Sequence, residues 1–215
     1  ALFLFLTKTH DLYPYGEQSM AWADVQQQVI PLLNTFKDIL SGQTSLVYTF
    51  NHAGGMTFFG VFFFFLASPF TFLVAFIDKS DMMSFINILI MLKMMVAGAT
   101  LGFYLHKKYP NLHPFISVAF SLLYAFSAYN LMYYQNVIWI DCMALFPLLF
   151  LSIEHLFEKD NILPYLVMMT LAMVINYYIG MIEVIFILMF VSLWIYYRKK
   201  EEDIKKKAWH FLLAS

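Results

Sequence analysis

Long apolar stretches separated by short polar turns constrain this chain more than any other feature of its sequence. A helix crosses the ~30 Å hydrocarbon core of a bilayer with about 20 apolar residues. Only 13% of the residues are charged, against roughly 25% in soluble domains. We therefore predict an all-α, polytopic membrane helical bundle that forms one transmembrane domain over residues 1–215. The predicted transmembrane helices are 84–105, 114–134, 137–157, 162–179 and 180–197.

The distribution of positive charge predicts the orientation of these helices. Basic residues cluster at 106–108 and again at 198–207, and such clusters mark cytoplasmic segments. The apolar stretches between the clusters return the chain to the side on which it started. This assignment puts residues 133–141 and 176–180 outside. The short apolar ends, 1–6 and 208–215, cannot span by themselves, so we expect a fragment of a longer protein.

A long polar segment, residues 7–55, interrupts the apolar pattern and is predicted to be the first extracellular loop. Loops of this length between spans are uncommon unless they have a function, so we expect the chemistry here. Within it, apolar residues recur at helical spacing, which predicts an amphipathic helix lying on the outer leaflet. Those positions are 25, 29, 32, 33, 36, 39 and 40.

Residues 56–77 are apolar but broken at Ser68-Pro69. Proline removes a hydrogen-bond donor and disfavours helix in the residue before it. We predict a re-entrant or interfacial hairpin of two half-helices, with a single straight crossing as the alternative. The hairpin keeps the acidic loop outside, whereas a single crossing would make that loop cytoplasmic.

Asp24 allows two compatible interpretations. The segment from Asp24 to Gln27 has the spacing of a capping box, in which Asp24 would cap the amphipathic helix. A carboxylate held beside Trp22 at the membrane surface would also be partly desolvated. That environment suits it to accept a proton from a hydroxyl group.

Two charged residues lie well inside predicted spans, where an ionised group costs roughly 2.5 to 3.5 kcal/mol. Lys93 is either part of a buried ion pair, a snorkelling lysine or a phosphate site, and Glu183 is either a structural residue or a proton site. Asp141 falls at the outer end of its span beside Trp139, on the same side as Asp24. The histidines show no metal-binding spacing, and no basic aromatic patch indicates nucleic-acid binding.

Several short motifs, in this order and spacing, resemble the N-terminal part of the YfhO family of bacterial membrane proteins. Gln28 departs from this pattern, because an aromatic residue is expected there, and Met56 is another departure. The motifs are Tyr13-Pro14-Tyr15-Gly16, Asp24 to Gln27, Leu40-Ser41-Gly42, Ser45 to Phe50, Gly54-Gly55, Leu66 to Phe70, Leu92-Lys93 with Gly98, Trp139-Ile140-Asp141 with Pro147-Leu148, and Asn176 to Gly180.

The resemblance implies a GT-C-type glycosyltransferase, a hexosyltransferase that uses a lipid-phosphate sugar. It would move a sugar from a polyprenyl-phosphate donor to a cell-envelope polymer such as a teichoic acid, outside the bacterial plasma membrane. Carried onto this sequence, the catalytic base is Asp24. Gln27 and Lys93 would orient the phosphate, and Trp139, Asp141 and Tyr177 would line the cavity. We expect no cofactor and leave a divalent metal open; the partners are the lipid-linked sugar, the acceptor and the bilayer, without nucleic acid.

Two further hypotheses remain at this point. The chain could be a polytopic transporter or lipid flippase with Lys93 and Glu183 at an intramembrane site. It could also be a non-catalytic membrane scaffold that uses the 7–55 loop as a docking surface.

Overall fold

A computed structural model of the chain describes residues 2–198 and 204–214. Within those ranges 75% of the structure is helical and no strand occurs, which confirms the all-α prediction. Lys199 and Lys200 of the predicted basic cluster lie outside the described residues. The α-helices are α1 (Leu2–Thr9), α2 (Ile30–Leu40), α3 (Phe58–Val61), α4 (Met82–Lys108), α5 (Pro114–Ala125), α6 (Ala128–Tyr133), α7 (Trp139–Lys159), α8 (Leu163–Ile175), α9 (Tyr177–Arg198) and α10 (Ile204–Ala214).

Among the described residues, 4 helical segments are long and apolar enough to cross a membrane: Lys79–Lys108, Pro114–Tyr133, Trp139–Lys159 and Tyr177–Tyr197. The polytopic membrane architecture predicted from composition is therefore confirmed.

Helix α8 differs from the predicted span 162–179, because it contains only 13 residues and is about 20 Å long. It ends where Asn176 adopts extended angles, φ −153° and ψ 102°. The Asn176 side-chain oxygen then accepts the Ile179 N–H at 2.9 Å and so caps α9. The boundary predicted between 179 and 180 thus lies at Asn176.

Residues 56–77 contain two short helical segments, Phe58–Leu66 and Pro69–Phe76, which are bent by 106° at the break between them. The break falls at Ser68, whose side chain accepts the Phe70 N–H at 3.3 Å and caps the second segment. We call this pair of segments the hairpin. Its re-entry from the outer side of a bilayer stays a prediction.

The amphipathic helix of the 7–55 loop packs against protein. Val25, Val29, Leu33 and Phe36 are buried in one core with residues of the hairpin and of the first half of α4. The structure therefore differs from the prediction of a helix lying on the leaflet, since α4 and the hairpin supply the apolar surface that covers its stripe.

Helices α4 and α7 run side by side in the same direction. Lys93 pairs with Asp141, and further along both helices Lys108 pairs with Glu154 at 2.9 Å. Lys93 is about eleven residues into α4 whereas Asp141 is about two residues into α7, so α7 begins ~14 Å below the start of α4. We call the space above the start of α7 the recess; the hairpin and the 7–55 loop fill its sides.

The opposite end of α7 is basic. Asp160, directly after α7, accepts hydrogen bonds from Lys206 Nζ at 2.6 Å and from His210 Nδ1 at 2.7 Å, both on α10. The hydrogen bonds of Lys206 and His210 lower the pKa of the Asp160 carboxyl below its ordinary value. Lys108 lies at this same end through its pair with Glu154. We call this the basic end of the molecule.

Candidate functional site

Asp24 lies at the turn that leads into the π-helical segment Val25–Val29 and then into α2. Its backbone is already helical, with φ −62° and ψ −30°, and its side chain makes no capping hydrogen bond. The capping-box interpretation is therefore wrong. Instead the half-buried carboxylate of Asp24 lines a narrow crevice in the recess.

Polar and aromatic side chains converge on this crevice. Four of them carry a carboxylate or an amide, namely Asp24, Gln28, Gln135 and Asn136, and none of these has a side-chain hydrogen bond to another described residue. The cavity volume is ≈ 10 Å³, close to the space of one water molecule. The remaining walls are Val29, Phe64, Phe65, Val137, Ile138 and Trp139.

Two contacts bring the 7–55 loop to these walls. Asn87, buried on α4, accepts the Met20 N–H at 2.8 Å and donates to the Gln18 carbonyl at 3.1 Å. Nearer the crevice, burial raises the pKa of the Tyr134 hydroxyl, with a smaller opposing effect from the indole of Trp22. The chain around Trp22 is thus held against the segment that carries Gln135.

An aromatic cluster continues the wall formed by Trp139. The Trp139 ring stacks on Tyr178 with centroids 6.3 Å apart, and Tyr133 lies 5.8 Å away on α6. Phe64 of the hairpin contacts Tyr177 at 5.6 Å. These rings join the hairpin to the starts of α7 and α9.

An ion pair lies directly below the crevice, at the bottom of the recess. Lys93 and Asp141 are 1% and 3% exposed. Lys93 Nζ donates to the Val137 carbonyl at 3.1 Å as well as to Asp141, and Ser68 Oγ donates to Asp141 Oδ1 at 2.8 Å. One network therefore connects α4, α7, the hairpin break and the crevice wall at Val137.

The structure separates the residues predicted for the site into groups. Asp24 and Trp139 line the crevice, and Asp141 with Lys93 lies beneath it. Gln27 is exposed and does not line the crevice. Tyr177 is half-exposed at the rim of the aromatic cluster.

Glu183 shares no hydrogen bond or ion pair with this network among the described residues. It is buried on α9, and its Oε2 atom has no hydrogen-bond partner among the described residues. Lys93 pairs with Asp141, and no ion pair joins Lys93 to Glu183 among the described residues. The joint intramembrane site of the transporter hypothesis stays a prediction.

Sequence reasoning did not identify Gln28, Gln135 and Asn136 as site residues. In the sequence, Gln28 is a polar residue where the family pattern has an aromatic one. Gln135 and Asn136 form a polar pair between Tyr134 and Trp139. A polar pair inside an aromatic segment that was expected outside the membrane is a usable signal. The described residues contain no group of 3 or more His, Cys, Asp or Glu side chains arranged to hold a metal.

Comparison with known proteins yields one family. A family model described as "Bacterial membrane protein YfhO" matches residues 1–215. Neither a curated protein nor a solved structure matches the chain.

Proposed function

The chain belongs to the YfhO family of bacterial membrane proteins, and from this premise we propose that it is a membrane glycosyltransferase of the GT-C type. It moves a sugar from a polyprenyl-phosphate donor to an acceptor hydroxyl on a cell-envelope polymer such as a teichoic acid. Asp24 is the general base. The observation that carries the proposal is the crevice, where the Asp24 carboxylate stands among unpaired amides and aromatic rings.

The composition of the crevice supports a polyhydroxylated substrate. Buried polar groups are almost always hydrogen-bonded, and amide side chains both donate and accept. Gln135 Oε1 is buried without a hydrogen-bond partner among the described residues. The exposed Gln28 and the half-buried Asn136 also make no side-chain hydrogen bond to a described residue, so all three amides have free hydrogen-bonding capacity. Sugar hydroxyl groups would use that capacity, and an aromatic wall such as Trp139 would cover the apolar face of the ring.

The proposed reaction is a single displacement. The acceptor oxygen forms a bond to the anomeric carbon while the bond from that carbon to the phosphate oxygen breaks. The bonding electrons leave with the lipid phosphate, and the hydroxyl proton moves to the Asp24 carboxylate. The phosphate leaves as a stable anion, so no second carboxylic acid is needed, unlike in glycoside hydrolysis. The sugar carbon is inverted.

The positions of the charges support an extracellular site. The crevice lies at the start of α7 and the basic end lies at its other end, which is 21 residues away along the helix, or about 30 Å. Basic ends face the cytoplasm. The crevice would then open on the outer side, where cell-envelope polymers are found.

The buried pair gives Lys93 and Asp141 a supporting role in this proposal. The Lys93 ammonium is already neutralised by Asp141 beneath the crevice. A direct contact between Lys93 and a lipid phosphate would require that pair to separate, which is costly in a buried setting. Gln27, exposed on the same turn as Gln28, stays a prediction for phosphate orientation.

The test is transfer activity of the full-length protein in proteoliposomes with Asp24→Asn. Loss of a positioned general base is expected to lower kcat by about 10²–10⁴-fold with unchanged thermal stability. Glu17→Gln is the matched control, because it removes the same charge from an exposed residue of the same loop. Full transfer by Asp24→Asn would exclude Asp24 as the base, and dependence on a divalent metal is measured in the same assay with EDTA.

A further inference from the structure

Both π-helical segments of the described chain end at the crevice. Val25–Val29 carries Gln28, and Phe62–Leu66 carries Phe64 and Phe65. π-Helical turns are rare and occur frequently at functional sites. Because each widens the helix locally, it turns side chains that a regular helix would direct elsewhere toward the crevice.

The residues that line the crevice carry one negative charge and no positive charge. Asp24 is a carboxylate, and no Lys, Arg or His is among the residues that line the crevice. The nearest cation described beneath it, Lys93, is neutralised by Asp141. The crevice therefore offers hydrogen bonds and a negative charge, but no group that would balance an anion.

We propose that the crevice is the subsite for the transferred sugar of the lipid-linked donor, and that it selects an uncharged sugar ring. Gln28, Gln135 and Asn136 bind the ring hydroxyls, and Trp139 packs against its apolar face. This inference rests on the proposed function and deepens it, because it assigns the class of sugar and the residues that recognise it.

Electrostatics and hydrogen bonding favour an uncharged ring over a uronic acid or a phosphorylated sugar. A second anion beside Asp24 would face a like charge in a partly desolvated space, where such interactions are strong. Hydroxyl groups pair with amides without introducing charge. A site built to hydrogen-bond hydroxyls also discriminates strongly against ligands that leave its polar groups unpaired.

The recess favours the donor over the acceptor. The crevice lies in the recess, whose bottom at the start of α7 is ~14 Å below the start of α4, and the hairpin residues Phe64 and Phe65 form one wall. A sugar on a lipid anchored in the bilayer approaches from this depth, whereas a polymer arrives from outside. The cavity must widen to admit the ring, and turning Gln28 or Gln135 breaks no hydrogen bond to a described residue.

The test is equilibrium binding to the full-length protein in detergent, without acceptor, using short-chain prenyl phosphates that carry glucose or glucuronic acid. We expect the glucose compound to bind at least about 10-fold more tightly. Gln28→Ala and Gln135→Leu should each raise its Kd about 10-fold, the effect of one lost hydrogen bond of ~1.4 kcal/mol. Gln26→Ala is the matched control, because Gln26 is exposed on the same turn and does not line the crevice, and its Kd should equal that of the natural protein.

A gain of charge tests selectivity in the opposite direction. Gln28→Arg places a cation in the crevice and should shift preference toward the glucuronic acid compound, whereas Gln26→Arg should not. Equal Kd values for Gln28→Ala and Gln26→Ala, or equal binding of both sugars, would overturn the subsite. Because binding is measured without turnover, that failure is distinct from a failure of the proposed function, which is full transfer by Asp24→Asn.

Discussion

The buried charges of Lys93 and Asp141 depend on each other at the bottom of the recess. Each is an unusual residue for a membrane interior, where an unpaired charge is expensive. Ser68 donates one further hydrogen bond to Asp141, and the Val137 carbonyl accepts a second one from Lys93. The sequence identified Lys93 as a buried-pair candidate, but it put Asp141 only at the outer end of a span and did not identify it as the partner.

This mutual dependence predicts a strongly non-additive pair of substitutions. Lys93→Met leaves Asp141 buried and unpaired, so we expect it to lower the free energy of unfolding by about 3–5 kcal/mol. Lys93→Met with Asp141→Leu removes both charges and should recover most of that loss. The measurement is thermal and denaturant unfolding of the purified protein in detergent.

The control for this prediction is a surface pair. Lys79 pairs with Asp38 at 2.6 Å, with half of the Lys79 side chain exposed, and exposed pairs contribute about 0–1 kcal/mol. Lys79→Met should therefore have little effect on unfolding. A loss for Lys93→Met no larger than that for Lys79→Met would contradict the role of burial.

At the scale of the element, α7 is the helix on which the site is built. It begins at Trp139 in the wall of the crevice, continues through Pro147 and ends beside Asp160 at the basic end. Pro147 has no N–H to donate to the Met143 carbonyl. The Tyr124 hydroxyl of α5 donates to that carbonyl at 2.7 Å instead. A side chain of α5 thus replaces the backbone hydrogen bond that Pro147 cannot make in α7.

This replacement hydrogen bond predicts that the effects of substitutions at Tyr124 and Pro147 on stability are coupled. Tyr124→Phe leaves the Met143 carbonyl without this donor and should cost about 1–3 kcal/mol. In a Pro147→Ala background the backbone N–H is restored, so the same Tyr124→Phe change should cost clearly less. A double-mutant cycle by thermal unfolding measures the coupling, and additive effects would show that the Tyr124 hydroxyl does not replace the missing donor.

Close packing of α4 on α5 also follows from particular residues. A Cβ at Gly98 would lie 3.2 Å from the Ser121 carbonyl oxygen, and one at Gly102 would lie 3.0 Å from Ser121 Oγ. Glycines four residues apart allow helices in membranes to approach closely. The sequence spacing was sufficient to indicate such a face, although only the structure identifies α5 as the partner.

At the scale of the whole molecule, the two ends of the bundle differ in chemistry. The crevice end carries Asp24, unpaired amides and aromatic rings. The basic end carries Lys107 and Lys108, and Lys206 on α10 contacts Asp160 there. Such asymmetry determines how a helical bundle is inserted into a membrane.

The asymmetry predicts which residues an impermeant thiol reagent reaches. In a Cys142→Ser background, which removes the single cysteine of the chain, Glu17→Cys should be labelled in intact cells. Lys107→Cys, at the basic end, should be labelled only after permeabilisation. The reverse pattern would put the crevice in the cytoplasm and would contradict an extracellular transferase.

The sequence by itself determined the features that depend on local pattern. Apolar length defined the spans, the bend at Ser68-Pro69 followed from backbone chemistry, and Asp24 stood out in a long polar loop. The end of α8 at Asn176 was also readable in principle, since asparagine favours helix caps. These properties depend on neighbours a few residues apart.

Only the tertiary structure decided which side chains meet. Lys93 and Asp141 are 48 residues apart in sequence, and no local pattern encodes that contact. Gln28 rather than Gln27 lines the crevice because a π-helical turn changes the direction of successive side chains. Gln28, Gln135 and Trp139 come to line one crevice when α4, α7 and the hairpin pack together, since packing determines the relative level at which separate elements come to lie.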